Sequence, residues 1–190
     1  MSGPVVLRKW TVEEYHKMAA AGVLGEDDPV QLLDGEIVVM TPIGARHAAS
    51  VNRLARLLNA AVDNRFLVSV RNPVRLSACS EPEPDLALLT WRDDGYATEL
   101  PSAADVVLVV EVADSSGGLD RRVKLPLYAE AEIDEVWIVD LVSGTVEVHT
   151  GPHLRGYRRQ SVRRRGEEVV SPSVPALSVP VDSALAIPSR

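Results

Sequence analysis

Val106-Val-Leu-Val-Val-Glu-Val-Ala113, followed by Asp120-Arg-Arg-Val-Lys-Leu-Pro-Leu-Tyr-Ala-Glu-Ala131 and then Glu135-Val-Trp-Ile-Val-Asp140, is the most informative run of the chain. Residues 106–110 are apolar without alternation, which predicts a strand buried on both faces. Residues 120–131 read as a helix on which Asp120, Lys124 and Tyr128 recur every four positions and share a face, although Pro126 implies a kink or a later start. Residues 135–140 read as a second strand. Strand, helix, strand in that order predicts a parallel, right-handed crossover.

Working towards the N-terminus, strands are expected at 66–70, 74–78 and 85–90, punctuated by Pro73, Pro82 and Pro84. Residues 45–64 carry Ala48, Val51, Leu54, Ala55, Leu58 and Val62, one stripe of an amphipathic helix. Asp34-Gly35 between apolar runs predicts a two-residue hairpin. Thr11-Val-Glu-Glu14 is a capping box and predicts a helix over 12–21, ended at Gly22 and followed by a polar break, Glu26-Asp-Asp-Pro29. Towards the C-terminus, strands at 145–150 and 157–162 precede a proline-spaced tail of extended chain with a short last turn. The class is α/β (α+β): a mixed central sheet flanked by helices, with an N-terminal helix and hairpin and a C-terminal β extension. One domain over 1–190 is expected, with a core at about 10–150 and the hairpin and tail at 151–190.

Glu111 is the anomaly of the 106–113 strand. An ionised carboxylate in so apolar a setting needs a partner or a metal, and alone it reads equally as a structural ion pair with Lys124 or as a functional acid. Asp85 opens the preceding strand in Glu81-Pro-Glu-Pro-Asp85. An antiparallel pairing with Thr90 opposite Val106 places Asp85 opposite Glu111, about 5 Å away; otherwise Asp85 is an exposed turn residue. Two such acids repel, and a divalent cation removes that cost. Lys124 could bring an ammonium beside them, or form a solvated pair with Asp120. Two acids, a lysine and Cys79 as the only cysteine fit Mg²⁺ or Mn²⁺ and phosphodiester hydrolysis rather than zinc or acyl-transfer chemistry.

These segments resemble the PD-(D/E)XK nuclease superfamily, of restriction-endonuclease-like fold. More closely they resemble its Uma-two family of restriction endonucleases. The resemblance is carried by Leu32-Leu-Asp-Gly-Glu-Ile-Val-Val-Met-Thr-Pro42, His47, Pro84-Asp85-Leu and Val109-Val-Glu-Val112 with Ser115-Ser116. It continues through Asp120, Lys124, Leu127-Tyr128 and Glu135-Val-Trp-Ile-Val-Asp140. It implies a metal-dependent endonuclease in which Asp85 and Glu111 hold the metal, Glu36 is a further metal or water ligand and Lys124 is the catalytic amine; read alone, Glu36 is equally a surface carboxylate just past a hairpin turn. The superfamily's lysine two residues after the acid is replaced here by Ala113. His47, Arg121 and Arg122 are the candidates for contacts to substrate phosphate. Tyr128 reads as a packing aromatic, Asp140 as a strand cap, and Glu132 stands where the family has a small turn residue.

The chain has 20 basic and 27 acidic residues and a net charge of −7, which argues against coating nucleic acid by bulk attraction. Arg155, Arg158, Arg159, Arg163, Arg164 and Arg165 could contact phosphates, but read first as a solubilising, edge-protecting hairpin. With no signal pattern and no apolar run near the roughly 18 residues of a membrane span, a soluble cytoplasmic protein is expected. Its partner would be nucleic acid, DNA in the first instance, and its assembly a homodimer by analogy with nucleases that cut two strands. The rival reading is a nuclease-fold protein that binds nucleic acid or protein without cutting.

Overall fold

The 106–113 run forms β5, Val106–Ala113, with every residue but Val107 buried. The computed structural model describes residues 7–25, 27–114 and 118–185, so Glu26 and the 115–117 linker, with its Ser115-Ser116, lie outside the described residues. β5 lies inside a six-stranded sheet. Its antiparallel neighbour is β4, Leu86–Thr90, itself paired with β3, Phe66–Val70, at the sheet edge. Its parallel neighbour is β6, Glu135–Asp140. β7, Thr145–His153, and β8, Gly156–Arg164, continue antiparallel to the other edge. The arginine-rich β8 is that edge strand, a position where charge opposes pairing with a stray chain.

Both faces of the sheet are covered. α2, Ala45–Ala61, packs Val51, Leu54 and Leu58 against Leu108, Val110 and Val112. On the opposite face Tyr128 and Ile133 pack with Val109 and Val136. Alternation along β5 puts Glu111 on that second face, where the chain between β5 and β6 crosses. The crossover starts with a π-helical turn, Asp120–Lys124, in which Leu125 N–H bonds to Asp120 O, and continues as α3, Leu125–Glu130. Pro126 falls in the first turn of α3, where a missing N–H costs no helical bond; the wide turn before it resolves the conflict between proline and helix. Glu132 follows in left-handed conformation, φ 61°.

The N-terminal elements follow their local signals. α1, Val12–Ala20, carries the reciprocal Thr11–Glu14 capping box. β1, Val30–Leu33, and β2, Glu36–Val39, pair across Asp34 and Gly35, whose φ values of 48° and 77° make the turn whose twist suits a hairpin. A methyl group at Gly35 would come within 2.5 Å of Lys9 Cβ. Gly35→Ala is therefore expected to destabilise the fold by about 1–2 kcal/mol, seen as a lower denaturant midpoint at unchanged slope.

Two local expectations need correction. Residues 74–78 form no strand: Leu76 N–H and Ser77 N–H both turn back to Ser80 O, and Arg75 makes only an isolated bridge to Ser102. Its N–H groups go to scattered acceptors instead of one neighbouring strand, Val74 to Pro82 O and Arg75 to Pro101 O. The β4–β5 register also differs from the expected Thr90–Val106 pairing. Leu89 faces Val106 because β5 has a bulge at that end, whereas Leu86 faces Val110, so the expected register holds at the end nearer Asp85 and Glu111.

The tail closes over the α2 face. β9, Glu168–Val170, pairs with β10, Ser178–Pro180, and α4, Val181–Ala184, packs on α2. Buried Glu135 anchors this segment, its carboxylate accepting from Trp137 Nε1–H (2.6 Å), Ser171 Oγ–H (2.8 Å) and Ser173 N–H (2.9 Å). Among the described residues no helix is long and apolar enough to cross a membrane.

Candidate active site

Asp85 stands immediately before β4, one residue beyond the last ladder pair, and its carboxylate takes over where the backbone ladder stops. Its Oδ2 accepts Val112 N–H at 2.8 Å and lies 2.9 Å from His47 Nε2, at the start of α2. Glu111 accepts Asp85 N–H on Oε2 at 3.3 Å. Its Oε1 accepts Lys124 Nζ–H at 3.0 Å and Tyr128 O–H at 2.6 Å. Lys124 donates a second bond, 3.0 Å, to the carbonyl of Glu83 in the proline-stiffened approach to β4. The sheet thus supplies two acids at adjoining strand ends, and the crossover supplies the ammonium. Glu111 and Lys124 are only 2% and 5% exposed, which excludes a solvated Asp120–Lys124 pair.

The electrostatics follow from burial. Desolvation pushes the Glu111 carboxyl up to about 7, the Lys124 charge opposing and the Asp85 and Asp120 charges assisting. Burial also raises Asp120. Burial pulls the Lys124 ammonium down, but the surrounding carboxylates outweigh it and the net shift is upward. Acid and amine both move towards the protonated form, as expected where carboxylates outnumber cations. His47 moves up chiefly through its bond to Asp85, and its Nδ1 is buried with no hydrogen-bond partner among the described residues.

These groups line a cavity of about 270 Å³, walled on one side by the 40–44 loop between β2 and α2. Asp85, Glu111, Lys124 and His47 all reach it, as do Asp120, Glu83 and Arg71. Glu36 does not: it sits exposed at the start of β2, outside the cavity lining. Arg121 turns instead to Asp140 (2.7 Å) and Glu147 (2.6 Å). Arg122 bonds back to Gly118 O. Asp140 caps the turn after β6, accepting from Val142 N–H and Ser143 N–H. Sequence reasoning undervalued Asp120 and Tyr128. Their four-residue spacing about Lys124 was the available signal, but only the fold shows that this face turns inward to the acids.

Among the described residues no three His, Cys, Asp or Glu side chains converge to hold an ion unaided. Mg²⁺ does not require three: it is commonly bound by one or two carboxylates and completes its shell with water and substrate phosphate. Asp85 and Glu111 are hard oxygen donors in a pocket with surplus negative charge, and Asp85 Oδ1 accepts no protein hydrogen bond among the described residues. The donor pair fits a hard divalent cation.

The Uma2 family model, described as "Putative restriction endonuclease", matches residues 12–182. The fold is similar to a crystal structure described as "a putative nuclease belonging to DUF820 from Anabaena variabilis ATCC 29413", with a TM-score of 0.71 and 16% identity, covering 96% of this chain and 98% of that one. No curated protein matches the sequence.

Proposed function

From the premise that this chain belongs to the Uma2 family of restriction-endonuclease-like proteins, we propose that it is a metal-dependent endonuclease hydrolysing phosphodiester bonds of DNA. The observation that carries this reading is the convergence of Asp85, Glu111 and Lys124 on one open cavity. Asp85 and Glu111 would hold Mg²⁺ or Mn²⁺. When bound, such a cation lowers the pKa of a coordinated water and neutralises charge on a phosphoryl oxygen. Lys124 keeps its proton and offers positive charge where negative charge develops in the transition state. The Glu83 carbonyl holds that ammonium in place, so little reorganisation is needed. His47 orients the Asp85 carboxylate, whose Oδ1 has no protein partner among the described residues, and Tyr128 orients that of Glu111.

Supercoiled plasmid and single-stranded DNA incubated with Mg²⁺ or Mn²⁺ are expected to be cut, and with EDTA to stay intact. Intact DNA under every condition would instead favour the binding-module reading.

The Glu111 shift yields a second expected result. A carboxyl held near 7 must release its proton before it binds a cation, so Mn²⁺ affinity measured calorimetrically should rise with pH up to about 7 and then level off. The stability sign runs the other way without metal. The folded-state pKa of Glu111 lies above the unfolded one, so this group's contribution is greatest at low pH and is lost as pH rises from about 4.5 through 7. Mn²⁺ should accordingly raise Tm more at pH 8 than at pH 6. Affinity flat across this range would remove Glu111 from the ligand set.

A further inference from the structure

Arg71 ends β3 in an unusual way. It follows Val70, the last residue of the β3–β4 ladder, and adopts φ 51°, a left-handed conformation that non-glycine residues seldom take. Such a conformation is strained and persists where surrounding structure enforces it. Here the enforcing contact is the bond from Arg71 N–H to Asp85 O, 3.2 Å, which ties the arginine to the residue that opens β4. The turn brings a half-buried guanidinium to the cavity wall.

The other cations of the cavity are engaged: Lys124 by Glu111 and the Glu83 carbonyl, His47 by Asp85. Among the described residues the Arg71 guanidinium has no hydrogen-bonded or ion-paired acceptor, although Glu83 lies near enough to feel its charge. The cavity is otherwise acidic, with Asp114 and Asp120 beside Asp85 and Glu111. An incoming phosphodiester anion would be repelled by these acids and could be met by one uncommitted cation. A guanidinium matches two phosphate oxygens with two parallel N–H bonds, which an ammonium cannot do.

We propose that Arg71 is the phosphate-binding residue of the cavity, gripping a backbone phosphodiester of the nucleic acid through its guanidinium. The inference rests on the nuclease reading for the identity of the substrate, but its test does not require cleavage. Thymidylyl-thymidine, a minimal phosphodiester, is titrated without metal into ¹⁵N-labelled protein while the arginine Nε–H signals are followed, that of Arg71 being assigned by its loss in Arg71→Lys. The Arg71 signal should shift to saturation, and binding should weaken about tenfold or more in Arg71→Ala, the loss of a charge-assisted bond, and less in Arg71→Lys. With a longer oligonucleotide the salt slope of log K should fall by about one in Arg71→Ala, while Mn²⁺ binding heats stay as in wild type. An unmoved Arg71 signal, or Arg71→Ala binding within twofold of wild type, overturns the proposal. Probe binding through Arg71 by a protein that cuts no DNA would uphold it and overturn the endonuclease reading alone. Cleavage by Arg71→Ala with unchanged rate and KM would do the reverse.

Discussion

Asp85→Asn is expected to reduce cation-dependent cleavage by about 10³-fold or more while leaving the fold intact. The amide keeps an oxygen that can accept Val112 N–H, so the end of the β4–β5 ladder remains capped. What disappears is the formal charge, and with it half of the carboxylate pair available to a cation and the charge-assisted bond to His47. Removing a single preorganised stabilising group from an active site typically costs 10²–10³ in rate, and removing a metal ligand also weakens occupancy. The stability loss should be about 1 kcal/mol, that of one hydrogen bond. Single-turnover cleavage and Mn²⁺ calorimetry on wild type and variant check this together. Equal binding heats would show that the cation, if bound, is not held by Asp85.

Lys124→Met should be the most destabilising substitution at the site, by about 1–3 kcal/mol at pH 8, because Glu111 loses its counter-ion and must either stay charged in a buried site or take up a proton. The penalty has a ceiling set by proton uptake. Glu111 already titrates near 7 with the lysine present, so without it the carboxyl takes a proton more readily, and the destabilisation should shrink at pH 6. Adding Glu111→Gln should recover most of the loss, since the amide oxygen still accepts Tyr128 O–H and no buried charge remains. Denaturant melts of the two single variants and the double variant at both pH values form a complete cycle. All three should be inactive. Lys124→Met within 1 kcal/mol of wild type at pH 8 would mean that the amine does not neutralise Glu111 in solution.

Much of this architecture is legible in short stretches of chain. The Thr11–Glu14 capping box, the Asp34-Gly35 turn and the apolar stripe of α2 each specify local geometry from a few neighbouring residues. Uninterrupted apolar character marked β5 as an interior strand, and the desolvation cost of a carboxylate marked Glu111 as needing a partner. Lys124 was legible as that partner because helical spacing limited which side chains could face the strand.

Other features depend on where distant segments meet. The bulge in β5 shifted the register at one end, although each strand taken alone looks regular. Arg121 sits one residue from the site's side of the crossover, yet the ends of β6 and β7 present Asp140 and Glu147 to it. Glu36, expected as a further ligand, is left exposed by β2 outside the cavity. Tyr128 passes for packing until its hydroxyl is seen on Glu111, and Arg71 was unremarkable until the chain turned left-handed beside Asp85.

Most elements, their order, and the two acids and amine that need one another could be read from the chain, because propensity, periodicity and desolvation act over a turn or a strand pair. Which further charges face that trio depends on the folded whole, because a side chain's neighbours across a sheet end are set by packing among segments far apart in the chain.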